Sequence, residues 1–171
     1  VCTIETDYDV EEVVCMPDGE HFVLATRGDP GLVLCNITDG IVQFIDHGQV
    51  ISVAVTCDGQ HIISGSRDRL VKVWSVASKS LVSTCTGHTD SLQVVAAMPD
   101  GKRILSGGED HTVRVWLLDG TCQTCFSELH AHMVLALLAL PDNKHALSAS
   151  ADSNIKLLNV CLLYTSDAAD E

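Results

Sequence analysis

The feature that most constrains this chain is a repeat. Asp18-Gly19, Asp58-Gly59, Asp100-Gly101 and Asp142-Asn143 recur with a period of roughly 40 residues. A second aspartate, Asp29, Asp68, Asp110 or Asp152, follows each pair at a nearly constant distance. Two independent marks sharing one period point to a stacked array of small units. No Ser/Gly/Pro-rich linker interrupts it, so one continuous array is the simplest organisation.

The third copy is the clearest. Leu92–Met98 is an apolar strand, and Pro99-Asp100-Gly101 is a tight turn. Asp-Gly suits a two-residue hairpin in which both central positions take positive φ. Arg103–Ser106 forms the second strand, and Gly107-Gly108-Glu109-Asp110 turns the chain again. Thr112–Leu118 sets Val113, Val115 and Leu117 against Thr112, Arg114 and Trp116, the period-2 pattern of a half-buried strand. Asp119-Gly120 then leads into Thr121–Leu129. That makes four antiparallel strands per unit, and the fold class is all-β.

The first unit is degenerate, with strands at Val10–Met16, His21–Thr26, Leu32–Ile37 and Ile41–Ile45. Val1–Glu5 reads as an outer strand of a preceding unit. The units run over about 6–45, 46–86, 87–128 and 129–160, making one array over residues 1–160. After Val160 the pattern breaks. Cys161–Thr165 can still pair as a strand, whereas Ser166–Glu171 is small and acidic, either a disordered tail or a sequence-assembly scar. Residues 161–171 are therefore set apart.

The formal charge of −13 argues against a nucleic-acid or anionic-membrane surface, since phosphate binding relies on a basic field. No apolar run is long enough to span a bilayer. Aromatic residues make up only 4%, so the core must be mostly Val, Ile, Leu and Ala. The eight cysteines are scattered through apolar strands, where Cys acts as a small buried hydrophobe. Reduced thiols in a cytoplasmic protein, with a nuclear location as the alternative, are expected.

The Gly87-His88 opening, the Asp-Gly turn, the small-residue run ending at Asp110 and the strand closing on Trp116 resemble a WD40 repeat. The resemblance covers about Val10 to Val160. It implies a β-propeller array of four blades, each of four antiparallel strands. Family propellers commonly have seven or more blades, so it also implies a section of a larger propeller, with further WD40 repeats of the same chain as neighbours. A four-bladed ring closed by Val1–Glu5 is the rival arrangement.

The resemblance further implies a buried hydrogen-bonded set in each blade. The third unit matches it fully with His88, Ser106, Asp110 and Trp116. The second has Ser64, Asp68 and Trp74, with Asp46 in the His slot and His47 one residue late. The fourth has His130, Ser148 and Asp152, with Leu158 for Trp. The first keeps Asp29, with Thr6, Leu24 and Cys35 in the other slots. A rigid third blade and a softer first one are expected.

Two catalytic or metal readings compete with this structural one. His88, Ser106 and Asp110 have the composition of a nucleophilic triad. A near copy recurs one full period on at His130, Ser148 and Asp152, which suits a structural network rather than an active site. Cys122, Cys125, His130 and His132 could hold zinc, but residues three apart on a regular strand face opposite sides. The expectation is therefore no enzyme activity, no cofactor and no metal. His21, His61 and His145 read as polar, solvent-facing strand starts.

By the resemblance, protein partners dock where the turns before the first and third strands emerge. This maps to His47, Gln49, Arg67, Thr89, Ser91, Glu109, Ala131 and Met133. The expected function is a non-catalytic protein–protein interaction scaffold within a larger regulatory or complex-assembling protein.

Overall fold

The computed structural model describes residues 9–28, 31–38, 40–46 and 48–161, with only the backbone described over 40–46. Val1–Glu5, Thr6, Asp29, His47 and residues 162–171 lie outside it. So do the expectations placed on them: the outer strand of a preceding unit, the strand continuing past Cys161 and the acidic tail.

The described residues form four antiparallel sheets. The first contains β1 (Asp9–Cys15), β2 (His21–Arg27), β3 (Gly31–Asn36) and β4 (Gly40–Asp46). The second contains β5 (Val50–Val55), β6 (His61–Ser66), β7 (Val71–Ser75) and β8 (Ser80–Cys85). The third contains β9 (Leu92–Ala97), β10 (Arg103–Gly108), β11 (Val113–Leu117) and β12 (Cys122–Phe126). The fourth contains β13 (Val134–Ala139), β14 (His145–Ser150) and β15 (Ile155–Asn159). Strands pair in chain order, and the first strands of successive sheets lie side by side, so the sheets fan out with β4, β8 and β12 outermost.

The fourth sheet has three strands among the described residues, and the place of a fourth, after Cys161, lies outside them.

The hairpins depart from the two-residue turn read from Asp-Gly. Gly101 N–H donates to Met98 O (3.0 Å), which makes Pro99 and Asp100 the central pair. Proline's fixed φ suits the first central position of a type I turn. Gly101, at φ 66°, then takes the left-handed step that brings the chain back into register. The Asp100 carboxylate accepts from the Lys102 and Arg103 amides (2.9 and 3.1 Å). Aspartate therefore caps the turn from its side chain rather than adopting the positive φ itself.

Three apolar clusters join the sheets. Val23, Leu32 and Leu34 meet Val50, Ile62 and Trp74. Val71, Val73 and Ile63 meet Leu92, Ile104 and Trp116. Leu105, Val113 and Val115 meet Val134, Ala146 and Leu158. Each fully buried aliphatic side chain contributes about 1.5–3 kcal/mol, so these junctions supply most of the stabilisation. None of the three clusters joins the fourth sheet to the first, so among the described residues the array is open.

The turns between the second and third strands repeat one further detail. Arg69, His111 and Ser153 take left-handed backbone, at φ 73°, 64° and 66°. Each amide closes a turn onto the carbonyl three residues back, at Ser66, Gly108 or Ser150.

Candidate functional site

The most complete polar set among the described residues lies in the third sheet. Trp116 Nε1–H donates to Ser106 Oγ (2.7 Å). Ser106 Oγ lies 2.6 Å from His88 Nε2, and His88 Nδ1 lies 2.8 Å from Asp110 Oδ2. An indole only donates and a carboxylate only accepts. The chain is therefore satisfied throughout when the Ser106 hydroxyl donates to Nε2 and His88 Nδ1–H donates to Asp110. Asp110 also accepts from the Thr89 and Thr112 amides (3.1 Å each) and from the Thr112 hydroxyl (2.9 Å). Burial alone would raise its carboxyl. Hydrogen bonding from His88, the electrostatics of that ring and the two amides outweigh it, holding Asp110 far below the usual carboxylate range.

The side chains of His88 and Asp110 are 1% and 2% exposed, and Ser106 is fully buried. The Ser106 hydroxyl is engaged on both sides, so it offers no nucleophile to solvent. What the set does is mechanical. It ties the connection entering β9, which carries His88 and Thr89, to the β10–β11 turn, which carries Asp110. Gly87 makes room for it, since a Cβ there would lie 2.6 Å from the Arg114 guanidinium and 3.3 Å from the Trp116 ring.

The fourth sheet repeats the tie. His130 Nδ1 lies 2.9 Å from Asp152 Oδ2, and Nε2 lies 2.8 Å from Ser148 Oγ. Asp152 accepts from the Ala131 and Asn154 amides (3.0 and 2.9 Å), while buried Leu158 occupies the tryptophan position. In the second sheet Trp74 Nε1–H donates to Ser64 Oγ (2.9 Å), and Asp68 caps the turn through the Leu70 amide (3.0 Å). Its His slot falls at Asp46, whose side chain is not described. In the first sheet Leu24 and Cys35 stand where the third has serine and tryptophan, and with Val33 they form a buried cluster.

The ties fix one end of the third and fourth sheets, and the same end of the second is fastened through its backbone. There the Arg67 amide donates to Gln49 O (3.2 Å), Glu109 N–H to Ser91 O (2.8 Å) and Ala151 N–H to Met133 O (3.0 Å). Each bond fastens the turn before the third strand to the segment before the first. Gln49, Arg67, Thr89, Ser91, Glu109, Ala131 and Met133 therefore share this end. Gln49, Arg67, Thr89 and Ala131 are exposed. Gln93 Nε2 holds Glu109 Oε1 at 2.7 Å. Gly48, Gln49, Ser66, Arg67 and Asp68 line an open hollow of about 290 Å³.

The family model "WD domain, G-beta repeat" matches residues 40–75, 79–116 and 120–159, more than half of the chain. The chain belongs to the WD40 repeat family. Two solved structures share its fold. The RRP9 WD40 repeats are 19% identical with a TM-score of 0.77, over 91% of this chain and 52% of that one. U3-55K is 20% identical with a TM-score of 0.75, over 91% and 53%. The chain thus spans about half the length of the solved chains it matches.

In this WD40 array the second candidate cluster is not assembled. Simple alternation puts Cys122 and Cys125 on opposite sides of their strand. The register instead slips between Val115 and Trp116, setting Cys122 opposite Trp116 and Cys125 opposite Arg114. Those two partners share a face, so both cysteines do as well. His130 is held by Asp152 and Ser148, and His132 stacks on His111 with ring centroids 5.8 Å apart. Among the described residues no three His, Cys, Asp or Glu side chains converge to hold a metal ion.

The recurrent histidines also differ from a simple solvent-facing reading. His21 and His145 each place Nδ1 against the turn aspartate, Asp18 at 2.8 Å and Asp142 at 2.6 Å, and Arg103 does the same with Asp100 (2.6 Å). The hydrogen bond from His145 and the Lys144 and His145 amides lower the Asp142 carboxyl to about 2. His61 breaks the pattern, because Asp58 takes the Thr56 hydroxyl instead (2.6 Å). One recurrent position escaped the sequence reading. Lys72, Arg114 and Lys156 stand at successive repeats of the period, and Arg114 lies over the Trp116 ring at 5.8 Å. Their shared period was the available signal.

Proposed function

We propose that this chain is a non-catalytic protein–protein interaction scaffold, part of a larger regulatory or complex-assembling protein. The observation that carries the reading is the repeated fastening of loop pairs at one end of the array. The same backbone frame presents Gln49 and Arg67, then Thr89, Ser91 and Glu109, then Ala131 and Met133. Loops held on a rigid scaffold are suited to recognition. The charge of −13 favours protein partners over nucleic acid. Free thiols at all seven described cysteines suit a cytoplasmic or nuclear setting.

The test is affinity capture with the full chain and with Arg67→Ala combined with Glu109→Arg. Partners that dock on this end are lost from the double variant while its melting temperature stays unchanged. Recovery of the same partners at the same yield removes this end as the docking face.

A further inference from the structure

The register slip that takes apart the four-residue Cys/His cluster leaves two of its members side by side. Cys122 lies opposite Trp116 and Cys125 opposite Arg114, and those partners stand two residues apart on β11. Two strand rises therefore separate the cysteines, about 7 Å at Cα. Both thiols are free and exposed on β12, the outermost strand of its sheet. The Cys122 thiol donates to Thr124 O (3.6 Å), which turns its sulfur along the strand toward Cys125. Partial burial pushes the Cys125 thiol up, Arg114 pulls it down and Cys122 pushes it up again, so both neighbours lie within electrostatic reach. Arg114 also brings an open donor. Its Nε is buried and has no hydrogen-bond partner among the described residues.

We propose that Cys122 and Cys125 form a two-coordinate site for a soft, thiophilic metal ion, copper(I). Thiolates select copper(I), zinc and iron–sulfur clusters. Structural zinc and the clusters call for about four protein ligands, and no three converge among the described residues. Copper(I) is satisfied by two sulfurs in a line. With metal–sulfur bonds of about 2.3 Å the sulfurs stand roughly 4.5 Å apart, within reach of side chains at this Cα spacing. A disulfide would need them about 2 Å apart, at the upper limit of the Cα spacing such bonds tolerate. The third nearby thiol stays out. Cys85 is 1% exposed, and burial, then Cys122 and Asp119, push it up to about 12, so it keeps its proton.

Binding is an exchange of protons for metal with no change of oxidation state. Copper(I) forms two bonds to sulfur, and both thiol protons pass to water. The dithiolate complex carries one net negative charge, which the Arg114 guanidinium offsets. The site lies at the rim of the array and stands apart from partner docking at the loop end.

The test titrates the full, reduced chain with copper(I) under argon against the chromophoric chelator bathocuproine disulfonate. The expected result is one tightly held copper(I) per chain, bound by two sulfurs in X-ray absorption, with sedimentation unchanged on loading. Cys122→Ser and Cys125→Ser each weaken binding by about a hundredfold or more. Both variants melt within about 2 °C of the parent chain, because the two side chains are exposed. Cys2→Ser combined with Cys15→Ser, Cys57→Ser and Cys161→Ser leaves binding unchanged. Copper(I) that is lost from this fourfold variant, kept by both single variants or shared between two chains overturns the proposal. So does a Cys122–Cys125 disulfide formed by dilute hydrogen peroxide in a chain that binds no copper(I).

Discussion

The third and first sheets reach the same strand order with opposite interiors. In the third, a tryptophan, a serine, a histidine and an aspartate run from the sheet centre to the loop end, each satisfied by the next. In the first, Leu24 and Cys35 replace Ser106 and Trp116, and these two positions are apolar and buried. Both sheets have hairpins capped by a turn aspartate and both pack an aliphatic face on the next sheet. The hydrogen-bonded set is therefore not what makes a sheet. It fastens two connecting segments to each other.

The strongest way to break this comparison is Asp110→Ala. It strands buried His88 and the Thr89 and Thr112 amides, and is expected to cost about 3 kcal/mol in urea unfolding. Leu24→Ser, which moves the first sheet toward the third, is expected to cost less, about 2 kcal/mol, because the new hydroxyl gains neither an indole nor an imidazole there. Trp116→Leu copies the fourth sheet into the third and should lower stability by about 2 kcal/mol in thermal melts. A loss as large as that of Asp110→Ala would show that the indole, not the carboxylate, anchors the set.

Acid sharpens the comparison further. Asp110 and Asp152 titrate far below their unfolded values, so their contribution is present above about pH 4 and disappears as pH falls through the folded values. Amide exchange at Thr89 and Ala131 should therefore accelerate below about pH 4, after correction for intrinsic rates. In Asp110→Asn the acceleration at Thr89 should vanish and that at Ala131 remain. The smallest expected effect is a gain. Arg69→Gly relieves a left-handed non-glycine residue and should add about 0.5–1 kcal/mol without altering the sheet.

The period, the turn positions and the all-β class were legible because they depend on local chemistry repeated at fixed spacing. What escaped the sequence depended on pairing. The register slip opposite Trp116 moves Cys122 onto the face of Cys125, and no pattern in Cys122–Phe126 announces it. The turn type differs from what Asp100-Gly101 suggests by itself, because the fixed φ of Pro99 shifts the turn back by one residue. The basic residues at 72, 114 and 156 were visible at the repeat period, but the placing of Arg114 over the Trp116 ring depends on packing that spacing does not show.

Arg69, His111 and Ser153 carry one last consequence. Left-handed backbone costs an L-residue about 1–2 kcal/mol, a cost that arises at Cβ and so falls alike on residues that are not β-branched. The three turns have thus already met the expense of displaying a side chain where glycine would have been free. Exchanging arginine, histidine and serine among them changes the chemistry of the loop end while leaving the folding energy nearly level. One backbone frame can thus present many different faces at these positions.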